Sequence, residues 1–307
     1  MRRKEVNKDC ILGRLAILTT AIIWGTSFVV LKETLNEIPT HYVLAYRFSG
    51  AAVLMLLLGL KKLEKIDRAY VKGGVIMGIL LYFAYTIQTY GLYYTTPSKN
   101  AFLTTSYCVL VPFIYWVLTK RKPSIYNFIA AAICLAGVGF VTLHNDKGVN
   151  IGDVLTVCSG LFYALHIIAT SKHVKGRSVV ALTLIQFATA GVLSWISALL
   201  TDPIPTGVSA GSKWSIVYLC VMCTAGCYVL QTYGQKHTPP STVAVIMTLE
   251  AVFGALISVF FYDEVLTPKL LLGFLMIFIA VIISETELGF LRRKRPVDKI
   301  IMEPVDT

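Results

Sequence analysis

Glu250 is a carboxyl inside an apolar run, ten residues after Pro240. Along a helix that is about 15 Å, close to the middle of a hydrocarbon layer of about 30 Å. An ionisable group at that depth costs at least about 2 to 3 kcal/mol on insertion scales, so it must face a bundle interior, either protonated or partnered. It can handle a proton or a charge, or it can pin its helix to a neighbour through a hydrogen bond. His166, also inside an apolar run, ordinarily titrates near neutral pH, so Glu250 and His166 are the candidates for proton coupling; a packed, hydrogen-bonded histidine is the plainer alternative. Arg47 lies inside a third run. It could offset an anion, pair with a carboxylate or snorkel to headgroups, and its depth favours a gating or structural charge.

Aromatic and amide groups accompany these three. Tyr85 and Gln88, like Tyr228 and Gln231, are spaced i, i+3 and share a helix face. Trp24 is followed by Gly25, a ring beside a residue that permits close backbone approach. Aromatic walls with one carboxyl suit a cationic or zwitterionic organic solute, through cation–π attraction and a counter-charge. The substrate-binding candidates are therefore Trp24, Tyr85, Gln88, Tyr107, His166, Tyr228, Gln231 and Glu250.

The elements that position these groups are long. Of 307 residues, 56% are apolar and only 15% charged, with mean hydropathy +0.69; soluble domains carry about a quarter charged residues. Apolar runs of membrane-spanning length recur throughout, which predicts an all-α membrane protein with ten helices. They fall near 12–32, 39–60, 70–92, 97–118, 124–143, 151–171, 178–200, 212–235, 239–261 and 267–287. Prolines such as Pro97 and Pro268 open helices where a missing N–H costs nothing. The first run follows a basic start but is too long for a signal peptide and has no small-residue cleavage site, so it reads as a retained helix.

The chain writes one sentence twice. YTIQTYGLYYTTPS from Tyr85 returns as YVLQTYGQKHTPPS from Tyr228, 143 residues later, and this offset makes Tyr107 the mate of Glu250. A second register aligns Tyr46-Arg47-Phe48 with Ile185-Gln186-Phe187. Because five helices separate the copies, the halves are expected to be inverted repeats, 1–146 and 147–307, a plan common among secondary transporters. If the fourth and ninth helices approach each other, Tyr107 and Glu250 share a polar centre.

Of the 28 Lys and Arg residues, 22 fall at the amino terminus, at the even-numbered loops or in the tail. The positive-inside rule then places both termini in the cytoplasm of a multi-pass protein of the cell (inner or plasma) membrane. The +11 charge marks topology beside anionic lipid and calls for no nucleic acid.

Other signals carry less. Cys220, Cys223 and Cys227 share a helix face without a fourth ligand, so neither a metal site nor a cofactor is expected. Gly74 and Gly78 form a close-packing pair. There is no phosphate-binding loop and no assembled catalytic set, which argues against an ATP-driven engine and against an enzyme. A channel or a scaffold remains the alternative class to a carrier, and a monomer and a homodimer are equally open.

In order and spacing the motifs resemble the drug/metabolite transporter superfamily, in its EamA-like ten-helix branch, over about residues 12–287. The resemblance rests on Trp24-Gly25, Arg47-Phe48, the Thr-x-Pro-Ser turns, Leu249-Glu250 with the apolar run to Asp263-Glu264, and the closing LLGFLMIFIAVIISE. Departures are Ala251 in place of a proline, Lys120-Arg121-Lys122 in place of an acidic position, and Pro112 falling later than the usual proline. The resemblance implies alternating-access export or exchange of small metabolites, often amino acids, through a cavity lined mainly by the first, third, fourth, sixth, eighth and ninth helices. Efflux of cationic or aromatic drugs such as quaternary amines is the alternative.

Overall fold

A computed structural model describes residues 8–59, 66–120, 122–142, 150–174, 177–237, 246–261 and 263–287. Ten helical units follow one another: α1 (Lys8–Thr34), α2 (Thr40–Gly59), α3 (Arg68–Tyr94), α4 (Pro97–Thr105 and Tyr107–Thr119), α5 (Ile125–Thr142), α6 (Ile151–His173), α7 (Val179–Thr201), α8 (Ala210–Tyr218, π-helical Leu219–Gly226 and Cys227–His237), α9 (Leu249–Phe261) and α10 (Pro268–Thr286). Among the described residues nine of these are long and apolar enough to cross a membrane, and α9, at 13 residues, is shorter. The first residues expected in the ninth helix, the second Thr-x-Pro-Ser turn and the basic runs at 61–65 and 292–299 lie outside the described residues.

Local chemistry sets the ends. Asp67, Asn150, Ser178, Ser209 and Thr267 each accept a backbone N–H of the helix that follows, satisfying donors that a first turn leaves open. Pro97 and Pro268 sit in first turns. Lys120 and Glu287 close α4 and α10 in left-handed conformation, at φ 62° and 46°. Glu37, between α1 and α2, accepts the Ser209 N–H at 2.8 Å, and that bonding holds its carboxyl below the usual value.

Three helices expected to be regular throughout are not. In α4 the run Thr104-Thr105-Ser106 breaks the helix: Thr105 and Ser106 hydroxyls donate to the carbonyls of Phe102 and Leu103, at 2.8 and 2.6 Å. Such local bonds compete with the helical ladder, and Pro112 lies in the next piece. A turn at Thr248 interrupts the helical residues leading into α9. Thr248 is the 143-residue mate of Thr105, so the interruptions, at Ser106 and Thr248, fall within one residue of matching places. In α8 the π-helical stretch opens the ladder, and Thr224 donates its hydroxyl to Leu219 O, five residues back, at 2.8 Å.

The helices pack to a duplicated plan. Extensive contacts join α1 to α8 and α9, α6 to α3 and α4, α2 to α7 and α8, α3 to α7, and α5 to α10. Exchanging each helix with the one five places on maps this set onto itself. Glycines set the closest crossings: a Cβ on Gly91 would lie 2.9 Å from Gly152 O, one on Gly234 2.8 Å from Gly13 O, and one on Gly273 3.0 Å from Gly137 O. In lipid, where no hydrophobic force draws helices together, such backbone proximity supplies the packing energy.

Candidate functional site

The middle of the bundle holds a cavity of about 70 Å³, room for a small solute or a handful of waters. All eight predicted substrate-binding residues line it, as does Arg47. Trp24 comes from α1, Arg47 from α2, Tyr85 and Gln88 from α3, Tyr107 from α4, His166 from α6, Tyr228 and Gln231 from α8, and Glu250 from α9. Tyr107 follows one helix interruption directly and Glu250 lies two residues past the other, and both face this space without a hydrogen bond between them. Irregular backbone at membrane depth is tolerated where it lines such a hollow.

The polar walls are largely tied down. Gln88 donates to Thr104 Oγ1 at 2.9 Å and accepts from Tyr163 OH at 2.6 Å. Trp24 Nε1 donates to Cys223 O of the π-helical stretch at 2.7 Å. His166 Nε2 lies 3.1 Å from Gln186 Oε1, so this histidine is a hydrogen-bonded packing residue as well as part of the wall. Gln231 Nε2 approaches Met247 Sδ at 3.6 Å. Tyr85 packs edge-on to Phe48 and Tyr163, Tyr107 lies against Tyr163, and Trp24 lies against Tyr228, with ring centroids 5.3 to 6.0 Å apart.

The two charges differ from the rest. Arg47 is 2% exposed, so it does not snorkel to headgroups. Its Nε donates to Thr224 Oγ1 at 2.5 Å, its Nη2 points to Tyr85 OH at 3.4 Å, and the guanidinium lies 4.7 Å from the Tyr85 ring centroid. Glu250 is 8% exposed and has no hydrogen-bonding or ion-pairing partner among the described residues. It therefore does not pin α9 to any of them.

Sequence reasoning missed Tyr163, Thr104, Ser27 and Met247 in the wall. The 139-residue register that aligns Arg47 with Gln186 also carries Trp24 to Tyr163 and Ser27 to His166, so that signal was present. Also missed was a polar cluster at the α3–α4 turn. Lys32 Nζ donates to the carbonyls of Leu92, Tyr93 and Thr95 at 2.7, 2.7 and 2.9 Å, capping α3. Asp153, fully buried, takes the Thr95 hydroxyl and lies 3.4 Å from Lys99 Nζ. Glu264 accepts from the hydroxyls of Thr96, Ser98 and Ser258 and from Ser98 N–H at 3.2 Å. Lys99 counts as a loop cation in the sequence; here it is buried and paired.

Stacked apolar spans around a central, aromatic-walled cavity that holds a few polar groups define a multi-pass helical membrane protein. The model of the EamA-like transporter family matches residues 11–143 and 150–286, and the chain belongs to that family. This is a transporter family, not an enzyme family. An uncharacterized transporter of Archaeoglobus fulgidus is 33% identical over 277 residues, covering 88% of this chain and 84% of that one. Protein PecM of Dickeya dadantii is 23% identical over 279 residues, covering 89% and 92%. A solved crystal structure superposes with a TM-score of 0.65 over 91% of this chain and 98% of the other at 15% identity, a likeness of fold alone. The protein is thus an EamA-family membrane transporter.

Proposed function

We propose that this transporter is a secondary-active carrier of the cell (inner or plasma) membrane. It exports or exchanges a small organic metabolite of amino-acid type by alternating access. Its halves, 1–146 and 147–307, are inverted five-helix repeats with both termini cytoplasmic, and rocking of one against the other exposes the cavity to each side in turn. Support comes from the exchange-symmetric packing, the odd number of spans in each half and the bias of basic residues. Trp24, Tyr85, Gln88, Tyr107, His166, Tyr228, Gln231 and Glu250 form the substrate site, with Glu250 as the group that meets substrate charge or a coupling proton.

The observation that carries this reading is a carboxyl in a central, aromatic-walled cavity that has no partner among the described residues. A group so costly at that depth is expected to meet something that comes and goes. The test is counterflow in proteoliposomes. Vesicles loaded with unlabelled amino acid should accumulate labelled amino acid transiently and saturably; flux without saturation or counterflow would make the protein a channel. The ring-rich wall favours a second reading, efflux of aromatic or quaternary amines, which the same vesicles test with tetraphenylphosphonium.

A further inference from the structure

The cavity contains two buried ionisable groups, a guanidinium and a carboxyl, that do not pair with each other. Glu250 has no partner among the described residues, and Arg47 forms no ion pair there either. A guanidinium carries five N–H donors. In Arg47 one is taken by Thr224 and one is directed at Tyr85, and among the described residues the other three meet no acceptor. The Tyr85 ring face compensates part of the positive charge, but a desolvated cation is incompletely satisfied without an anion. Cation and carboxyl line one hollow, so a ligand with an anionic and a cationic end would satisfy both.

We propose that Arg47 is the anion-recognising pole of the cavity, held in place by Thr224 of the π-helical stretch, and that it receives the carboxylate of a zwitterion whose ammonium faces Glu250. This rests on the cavity being an amino-acid site and assigns a direction to the substrate within it. Thr224 is the positioning residue. Its hydroxyl donates to Leu219 O at 2.8 Å, which turns an oxygen lone pair toward Arg47 Nε. That donation spans five residues, the spacing of a π ladder, so the irregular stretch of α8 aims the guanidinium. The remaining N–H groups can meet a carboxylate as charge-assisted donors, the strongest class of hydrogen bond available to a side chain.

The experiment is a thermal-shift titration of the purified full chain. Twenty proteinogenic L-amino acids select the one that binds. Its amide, its decarboxylated amine and its deaminated acid are then compared in wild type, Thr224→Val and Thr224→Ser. The expected result is that the amide and the amine bind at least about tenfold more weakly than the amino acid, the ratio one charge-assisted hydrogen bond supplies. Thr224→Val should narrow that gap with amine binding unchanged, and Thr224→Ser should restore it. An amide that binds as well as the amino acid, or a gap indifferent to Thr224→Val, overturns the role of Arg47 and leaves the carrier standing. Binding by none of the twenty overturns the amino-acid reading and this one with it.

Discussion

If the Glu250 carboxyl is there to meet a solute or a proton, the fold should be more stable without it. The side chain is 8% exposed, faces the cavity and finds no acceptor or donor among the described residues, and taking a polar group out of bulk water without a protein partner costs about 1 to 3 kcal/mol. Glu250→Met keeps length and volume while removing that cost, so apparent stability should rise by about 1 to 3 kcal/mol. For a chain of this size that is an upward shift of roughly 2 to 6 °C in the melting midpoint. Four tryptophans allow the unfolding to be followed by intrinsic fluorescence in detergent, at a single scan rate because such transitions are scan-dependent. The isostere Glu250→Gln should fold, reconstitute and fail in counterflow. A midpoint lowered by several degrees in Glu250→Met, or full counterflow in Glu250→Gln, would refute the reasoning and return the carboxyl to a packing role.

Three further outcomes follow from the packing. Gly91→Val places methyl groups against Gly152 O and Thr156 N, both backbone atoms within 3.0 Å of the added Cβ, and should cost about 1 to 3 kcal/mol or more, read as a lowered melting midpoint. Lys99→Met leaves the fully buried Asp153 without its cation and should cost about 3 kcal/mol or more; adding Asp153→Asn should recover most of the loss in the same melt. Lys32→Met removes the ammonium from three carbonyls at the end of α3 and should cost about 1 to 2 kcal/mol, with faster amide hydrogen exchange confined to the α3–α4 turn.

The cavity was legible where the chain repeats itself. Tyr85 with Gln88 and Tyr228 with Gln231 announce a shared wall because identical residues at one offset must occupy matching places. Glu250 and Arg47 were legible because hydrocarbon makes any charge conspicuous. Tyr163 was hidden: its mate is Trp24, and two rings of different type look unrelated until the second register is applied. The π-helical stretch had no cue, since Leu219 to Gly226 contains no proline and a lone Thr224, whose hydroxyl bonds Leu219 O, is commonplace in an apolar helix. The break at Ser106 comes from hydroxyls turning on their own backbone, which a hydropathy window averages away. Lys99 and Asp153 lie at helix ends, where charge normally meets water, so nothing local in their surroundings reveals that they are buried together.

The glycine crossings limit how this protein can move. Where α3 meets α6 at Gly91 and Gly152, and α8 meets α1 at Gly234 and Gly13, main chain approaches main chain, with the Thr156 and Ile17 side chains lying over the bare Cα positions. Such joints resemble bearings: they let one rod roll over another about a fixed point while resisting lateral separation. A large excursion that keeps these contacts would swing about them, with its widest displacements at the far ends of the rods.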